Sequence, residues 1–262
     1  MNGTSTVEAA AARLTEAWAT GMPCEPVRDL LGAADVDQAY AVQTLMTEQR
    51  IRSGARLVGR KIGLTAPTVQ RQLGVDQPDF GMLFDDMDVP LGSEIPAGSV
   101  LQPRVEAEIA FILGRDLDAP SLVSSDIILA VDCAVAAIEV VGSRIRNWDI
   151  RIADTIADNA SSGAFVLGHQ PRRLGELDLV HCGMVMERAG EPVSTGAGAA
   201  CMGSPLSALL WLARRMAQTP YPLRRGDVVL SGALGPMVGA SPGDVFTAHI
   251  EGLGSVTAQF SA

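Results

Sequence analysis

Residues 102–114, QPRVEAEIAFILG, constrain this chain more than any other stretch. In an extended strand, successive side chains point to opposite faces. One face then carries Val105, Ala107, Ile109, Phe111 and Leu113, and the other carries Arg104, Glu106, Glu108, Ala110 and Ile112. The first face is wholly apolar and requires a core to bury it. The second sets two carboxylates side by side on a surface that turns apolar further along. Like charges at that spacing repel, and burying them unpaired is costly. Either a positive group sits between them, or this face is an exposed, salt-bridged edge.

A third acid sharpens the choice. Glu139 lies in AVAAIEVVGSRI, inside a nearly unbroken apolar run. A lone buried glutamate is protonated or paired. Three such acids without a lysine near them in sequence point to a bound divalent cation. All three would be oxygen ligands, there is no C-x-x-C pair, and His169, His181 and His249 are dispersed. That chemistry suits Mg2+ or Mn2+ better than zinc or a softer metal.

The remaining pattern is mixed. STVEAAAARLTEAWATG is Ala-rich and stops at Gly21; Asp35 is placed to cap a second helix that closes at Gly54. RLVGRKIGL reads as a short strand, and Thr65, Ala66 and Pro67 open a short helix ending near Gly74. Residues 75–104, rich in Asp, Pro and Gly, read as turns. Strands are expected at 105–113, 137–141, 163–167 and 179–187. Ser204 and Pro205 open a helix with an apolar stripe at Leu206, Leu209, Leu210 and Ala213, and the C-terminal part alternates as β again. The expectation is an α+β chain: a helical N-terminal cap over 1–60 and a mixed, mostly β body over 61–262.

With 262 residues, 47% of them hydrophobic, the chain has ample material for a core, although aromatics make up only 4%. A formal charge of -10 argues against a nucleic-acid backbone or an anionic membrane surface as partner. An anionic small substrate remains compatible if the site supplies local positive charge. The run 127–141 is broken by Asp132 and Glu139 and is too short to span a bilayer. Neither a signal peptide nor a paired-cysteine pattern is evident; Cys24, Cys133, Cys182 and Cys201 are scattered, so a reduced, cytoplasmic setting with small core cysteines is expected.

Several other residues carry potential chemistry. Lys61, in GRKIGLT, is the single lysine among 20 basic residues. Lysine exchanges a proton where arginine does not, so it is an acid/base candidate, or else an accident of an Arg-favouring composition. VDQPDFG places Asp76 and Asp79 in a constrained loop, a setting that presents catalytic groups or merely caps turns. DTIADNASSG offers Asp154, Asp158, Asn159, Ser161 and Ser162, either to hold a carboxylate or as ordinary helix-end capping. No G-x-S-x-G elbow is present. Gly196 and Gly198, in STGAGAACMGS, lack a dinucleotide fingerprint's third glycine and read as a flexible turn.

Taken together, RKIGLT, LGVDQPDFGMLF, QPRVEAEIAFILGRDL, AAIEVVGSRI, DTIADNASSGAFVLG and LSGALGPM…PGDVF…IEGLGSV resemble the 2-oxopent-4-enoate (2-hydroxypentadienoate) hydratases. These are relatives of the 4-oxalocrotonate decarboxylases in the fumarylacetoacetate hydrolase superfamily. The resemblance runs from about residue 35 to the C-terminus. It implies a fumarylacetoacetate-hydrolase-like mixed β-roll or barrel with a small helical N-terminal region. It further implies Mg2+ or Mn2+ held by Glu106, Glu108 and Glu139, Lys61 and Asp79 as acid/base pair, and Ser161 against a substrate carboxylate. The implied activity is addition of water to a small anionic 2-hydroxy-2,4-dienoate from meta-cleavage of aromatic rings. Symmetric homo-oligomers, decamers in this branch, and association with the next enzymes of the pathway are implied too. LSGALGPM resembles the hydratases more than the decarboxylases. A decarboxylase, an acylpyruvate C–C hydrolase and a non-catalytic partner subunit are the competing readings.

Overall fold

The computed structural model describes residues 5–66, 70 and 77–262. Most of the helix expected between Thr65 and Gly74, and Asp76, lie outside the described residues.

Helix α1 (Thr6–Thr20) starts where Ser5 and Glu8 cap each other's backbone N–H groups, at 3.2 and 2.8 Å, and stops at Gly21 in the left-handed region. After a single turn, α2 (Arg28–Leu31), α3 (Val36–Arg52) begins under the Asp35 side chain, which accepts the Gln38 N–H at 3.0 Å. Their apolar faces, Ala10, Leu14, Ala39 and Val42 among them, bury against Ile145, Ile152, Ala153 and Ile156. Those last four residues come from the β-rich part of the chain. The helical layer therefore shares its core with the body.

The body is two sheets. The larger orders β2 (Asp79–Phe84), β1 (Leu57–Gly63), β9 (Val228–Ala233), β4 (Arg104–Leu113), β5 (Val131–Val141) and β6 (Ser162–Leu167), with β10 (Val238–Gly239) beside β4. Only the β1–β9 pair is parallel in it. The smaller orders β3 (Glu94–Ile95), β12 (Gly254–Phe260), β11 (Val245–Ile250), β7 (Gly183–Arg188) and β8 (Glu191–Ala197). It packs on the larger sheet mainly through β5. Helix α4 (Ser124–Ala130) and helix α6 (Pro205–Met216) pack together, and α6 lies on β9. Between them in sequence, α5 (Ile152–Ala157) meets α3.

The alternation in β4 is as expected: Val105, Ala107, Ile109, Phe111 and Leu113 are all buried. Five details differ from the sequence reading. Residues 75–104, read as turns, contain the fully buried strand β2 and the short strand β3. Strand β5 begins at Val131, six residues before the expected start, because it pairs along the whole of β4. The strand expected at 179–187 begins only at Gly183, after a turn in which Asp178 accepts the N–H groups of Val180 and His181. Gly196 is in strand β8 rather than a turn; a Cβ there would lie 1.8 Å from the Leu234 carbonyl oxygen, so the close strand contact requires glycine. On α6 the buried stripe is Ala208, Leu209, Leu212, Ala213 and Met216, while Leu206 and Leu210 are only half-buried. Of the cysteines, all free, Cys182 and Cys201 are buried and Cys24 and Cys133 half-buried. Among the described residues no helix is long and apolar enough to cross a membrane.

Candidate active site

Strand pairing assembles the carboxylates. Glu106 on β4 stands directly opposite Glu139 on β5, and Glu108 follows two positions on, on the same face. One oxygen from each of the three lies within 4.8 Å of the others. Glu108 and Glu139 are buried and Glu106 half-buried.

A bulge in β9 orients Glu108. Between Glu108↔Ala233 and Ala110↔Leu230, β9 spends one residue more than β4. Gly232 takes φ +105° there, and its N–H donates to Glu108 Oε2 at 2.8 Å. A Cβ on Gly232 would lie 2.4 Å from Thr65 Oγ1, so both the backbone angle and the space demand glycine.

Lys61, on β1, is buried beside this cluster, its Nζ 3.3 Å from Glu139 Oε1 and donating to the Ala160 carbonyl at 3.0 Å. Burial alone would depress its ammonium, but the surrounding carboxylates, Glu139 foremost, outweigh burial and hold it above the usual lysine range. Lys61 is therefore charged at neutral pH. Burial pushes Glu108 well above the usual carboxylate range, reinforced by the charges of Glu139 and Glu106. It pushes Glu139 up to about 7, with Lys61 pulling the other way.

Asp79 is not in a loop. It is the first residue of β2, pairs with Gly63 of β1 and is fully buried, its carboxyl raised mainly by burial. A Cβ on Gly63 would sit 2.1 Å from Asp79 Oδ1 and 3.6 Å from Lys61 Nζ, so glycine keeps open the space between them. Thr155, on α5, has its hydroxyl 3.3 Å from Asp79 Oδ2 and 3.3 Å from Ser161 Oγ. Ser161 ends a turn in which three consecutive non-glycine residues, Asn159, Ala160 and Ser161, have φ of +54°, +50° and +58°. Such backbone is strained and needs external support. Asn159 supplies it by bonding both the N–H and the C=O of Met82, at 2.7 and 2.9 Å; Lys61 holds the Ala160 carbonyl and Gly142 N–H the Ser161 carbonyl.

Lys61, Asp79, Glu106, Thr155 and Ser161 all line one cavity of about 820 Å3. Glu108 and Glu139 are not among its lining residues; they lie beside Glu106 and Lys61, which are. Ala233, Leu234, Gly235, Pro236 and Met237, from the LSGALGPM segment, form another part of its wall. All six candidate residues from the sequence thus meet in one place. Two of the neighbouring acids do not join them. Asp154 accepts the N–H groups of Val27, Arg28 and Arg151 and pairs with Arg28; Asp158 pairs with Arg144. Both are structural caps, the plainer of the two readings of that segment. Sequence reasoning passed over Thr155, Gly63 and Gly232, whose roles depend on neighbours 76, 16 and 124 positions away.

The donor set suits a hard divalent cation. It consists of carboxylate oxygens alone, and Glu108 Oε1 and both oxygens of Glu139 are buried with no hydrogen-bond partner among the described residues. Lys61 approaches Glu139 but is not aligned as a hydrogen bond to it.

Comparison with known proteins agrees with this geometry. Residues 66–261 match the family model for the fumarylacetoacetate (FAA) hydrolase C-terminal domain. A TodF product hydratase of Pseudomonas putida is 60% identical over 98% of this chain and 96% of its own. A 2-keto-4-pentenoate hydratase of Paraburkholderia xenovorans is 54% identical over 97% and 95%. The 4-oxalocrotonate decarboxylase of Pseudomonas putida G7, solved with magnesium and adipate, superposes with a TM-score of 0.92 at 34% identity, covering 97% of each chain. The chain belongs to the 2-keto-4-pentenoate hydratase branch of the fumarylacetoacetate hydrolase family.

Proposed function

We propose that this protein is a metal-dependent hydratase that converts 2-hydroxypenta-2,4-dienoate into 4-hydroxy-2-oxopentanoate. The observation that carries the reading is a cluster of three carboxylates, two of them buried, beside a cavity that its third member, Glu106, lines together with Lys61 and the buried Asp79. Full-length identity to hydratases supports the same conclusion.

Glu106, Glu108 and Glu139 would hold Mg2+ or Mn2+, which when bound acts as a Lewis acid on the substrate's 2-oxygen. Lys61, charged at neutral pH, is the proton donor: it delivers a proton to C5 as the dienol ketonises. The proton released from the 2-hydroxyl returns to Lys61; Asp79 is the base that takes a proton from the water adding at C4 of the resulting unsaturated 2-oxo acid and passes it to C3. Its Oδ1 is buried without a hydrogen-bond partner, and Gly63 leaves room beside it. Ser161 donates to the substrate's carboxylate. Water addition moves no electrons to an outside acceptor, so no redox cofactor is needed. The helical cap and the β body act as one catalytic unit, since their cores are shared.

The test is the ultraviolet absorbance of 2-hydroxypenta-2,4-dienoate mixed with metal-stripped protein, before and after Mg2+. Rapid loss only after Mg2+, with 4-hydroxy-2-oxopentanoate as product, is expected. Release of CO2 from an oxalocrotonate-type substrate, with no hydration of the dienoate, would instead identify a decarboxylase. Two variants separate the roles. Glu108→Gln is expected to weaken metal binding, with activity partly restored by excess Mg2+. Lys61→Ala is expected to bind Mn2+ yet lose turnover by about 10²-fold or more; full activity in that variant would remove Lys61 as the proton donor.

A further inference from the structure

Among its described lining residues the cavity has two cations, Lys61 and Arg104. Lys61 is committed to Glu139 and the Ala160 carbonyl. Arg104 forms no ion pair with any described residue. Its guanidinium carbon lies 4.3 Å from the ring centroid of Trp148, and Nη1 is 3.7 Å from Met237 Sδ. Neither neighbour offers a charge, so apart from the Nη1 donor turned to the Met237 sulfur the guanidinium is free to face the cavity.

Its platform is built. Trp148 and Asn147 hold φ of +55° and +59°, and Gln102 holds φ +51°. Trp148 Nε1 donates to the Gln102 carbonyl at 3.0 Å, and Asn147 N–H to Gln102 Oε1 at 2.8 Å. Consecutive non-glycine residues in this region persist only where their surroundings fix them. The ring is thereby fixed beneath Arg104.

Its position is equally specific. Arg104 and Glu106 share a face of β4, two positions and thus about 7 Å apart along the strand. Charge balance completes the argument. With Glu106, Glu108, Glu139 and Asp79 ionised against Lys61 and one divalent cation, the site keeps one net negative charge, which repels an anionic substrate. Arg104 cancels it.

We propose that Arg104 is the docking residue for the substrate's C1 carboxylate, taking it as a bidentate pair beside Glu106. This rests on the 2-oxo acid reading given above. Turnover still requires Lys61 and Asp79; Arg104 sets affinity.

The test uses Arg104→Met and Arg104→Lys in the full-length protein. Affinity for Mn2+ alone, read by electron paramagnetic resonance, is expected to stay within about twofold, which establishes an intact metal site. Binding of pyruvate to the Mg2+-loaded protein, by calorimetry, is expected to weaken tenfold or more in Arg104→Met and less in Arg104→Lys. KM for the dienoate is expected to rise in parallel, with kcat nearly unchanged. Unchanged pyruvate affinity and KM in an Arg104→Met protein that binds Mn2+ normally would overturn the proposal. So would weakening of adipate alone, which would make Arg104 a reader of a second carboxylate. Arg104-dependent pyruvate binding in a protein that does not hydrate the dienoate would uphold the docking role and overturn the hydratase reading.

Discussion

Thr155 shows how much a single hydroxyl can organise. It is buried, and its oxygen is 3.3 Å from both Asp79 and Ser161, so one side chain fixes two groups to which roles are proposed here. A hydroxyl has one proton and two lone pairs. Donating to the Asp79 carboxylate leaves Thr155 to accept from Ser161 in the substrate-free protein, until the Ser161 proton turns to an incoming carboxylate. Replacing it by valine keeps the shape and removes both contacts, leaving Asp79 Oδ2 as well as Oδ1 without a partner. Thr155→Val is expected to lower kcat about tenfold, the equivalent of one hydrogen bond to a charged group, while Thr155→Ser retains most of it. A steady-state comparison of the two variants checks this, and equal losses in both would indicate a packing role only. The sequence exposed the acids and the lysine because charges inside apolar runs violate the expected pattern. Thr155 violates nothing: a threonine on a short helix is unremarkable until the fold sets Asp79 beside it.

At the scale of elements, what was legible is what is written locally. The caps at Asp35 and Ser204 and the stop at Gly21 each operate within a few residues, so those three helix limits followed from the sequence. The length of β5 did not, because its first half is extended only by pairing with β4. The burial face of α6 was off by about one residue because Ala208 and Leu212 are fully buried, while Leu206 and Leu210 pack against the core's edge and stay half-buried. Leu212 is fully buried, so Leu212→Ala is expected to destabilise the protein by about 2–5 kcal/mol in denaturant unfolding. Leu210→Ala, at a half-buried position, is expected to cost clearly less. The Asn159–Ser161 turn was also illegible: nothing local predicts three left-handed residues without glycine. Its stability is borrowed from β2, through the two Asn159–Met82 hydrogen bonds. Asn159→Ala removes both and is expected to destabilise by roughly 1–3 kcal/mol and, by letting Ser161 drift, to raise KM.

At the scale of the whole molecule, the acidic cluster makes stability depend on pH and metal together. In the metal-free protein burial pushes Glu139 up to about 7, against 4.5 for the free side chain. Between these values the folded protein holds a proton that the unfolded chain has released. Folding is therefore favoured by this group at the acid end of that window, and its contribution is lost as pH rises towards 7. A divalent cation reverses the balance, because it binds the ionised carboxylates and competes with the proton. Its affinity rises with pH through the same window. The thermal midpoint gained on adding Mg2+ is thus expected to be clearly larger at pH 8 than at pH 6, as differential scanning calorimetry at fixed metal concentration would read. Glu139→Gln removes one titrating group together with one ligand, and is expected to shrink both the Mg2+-induced gain and the difference between the two pH values. An equal Mg2+-induced gain at both, in the unmodified protein, would mean that the cation is held elsewhere than among Glu106, Glu108 and Glu139.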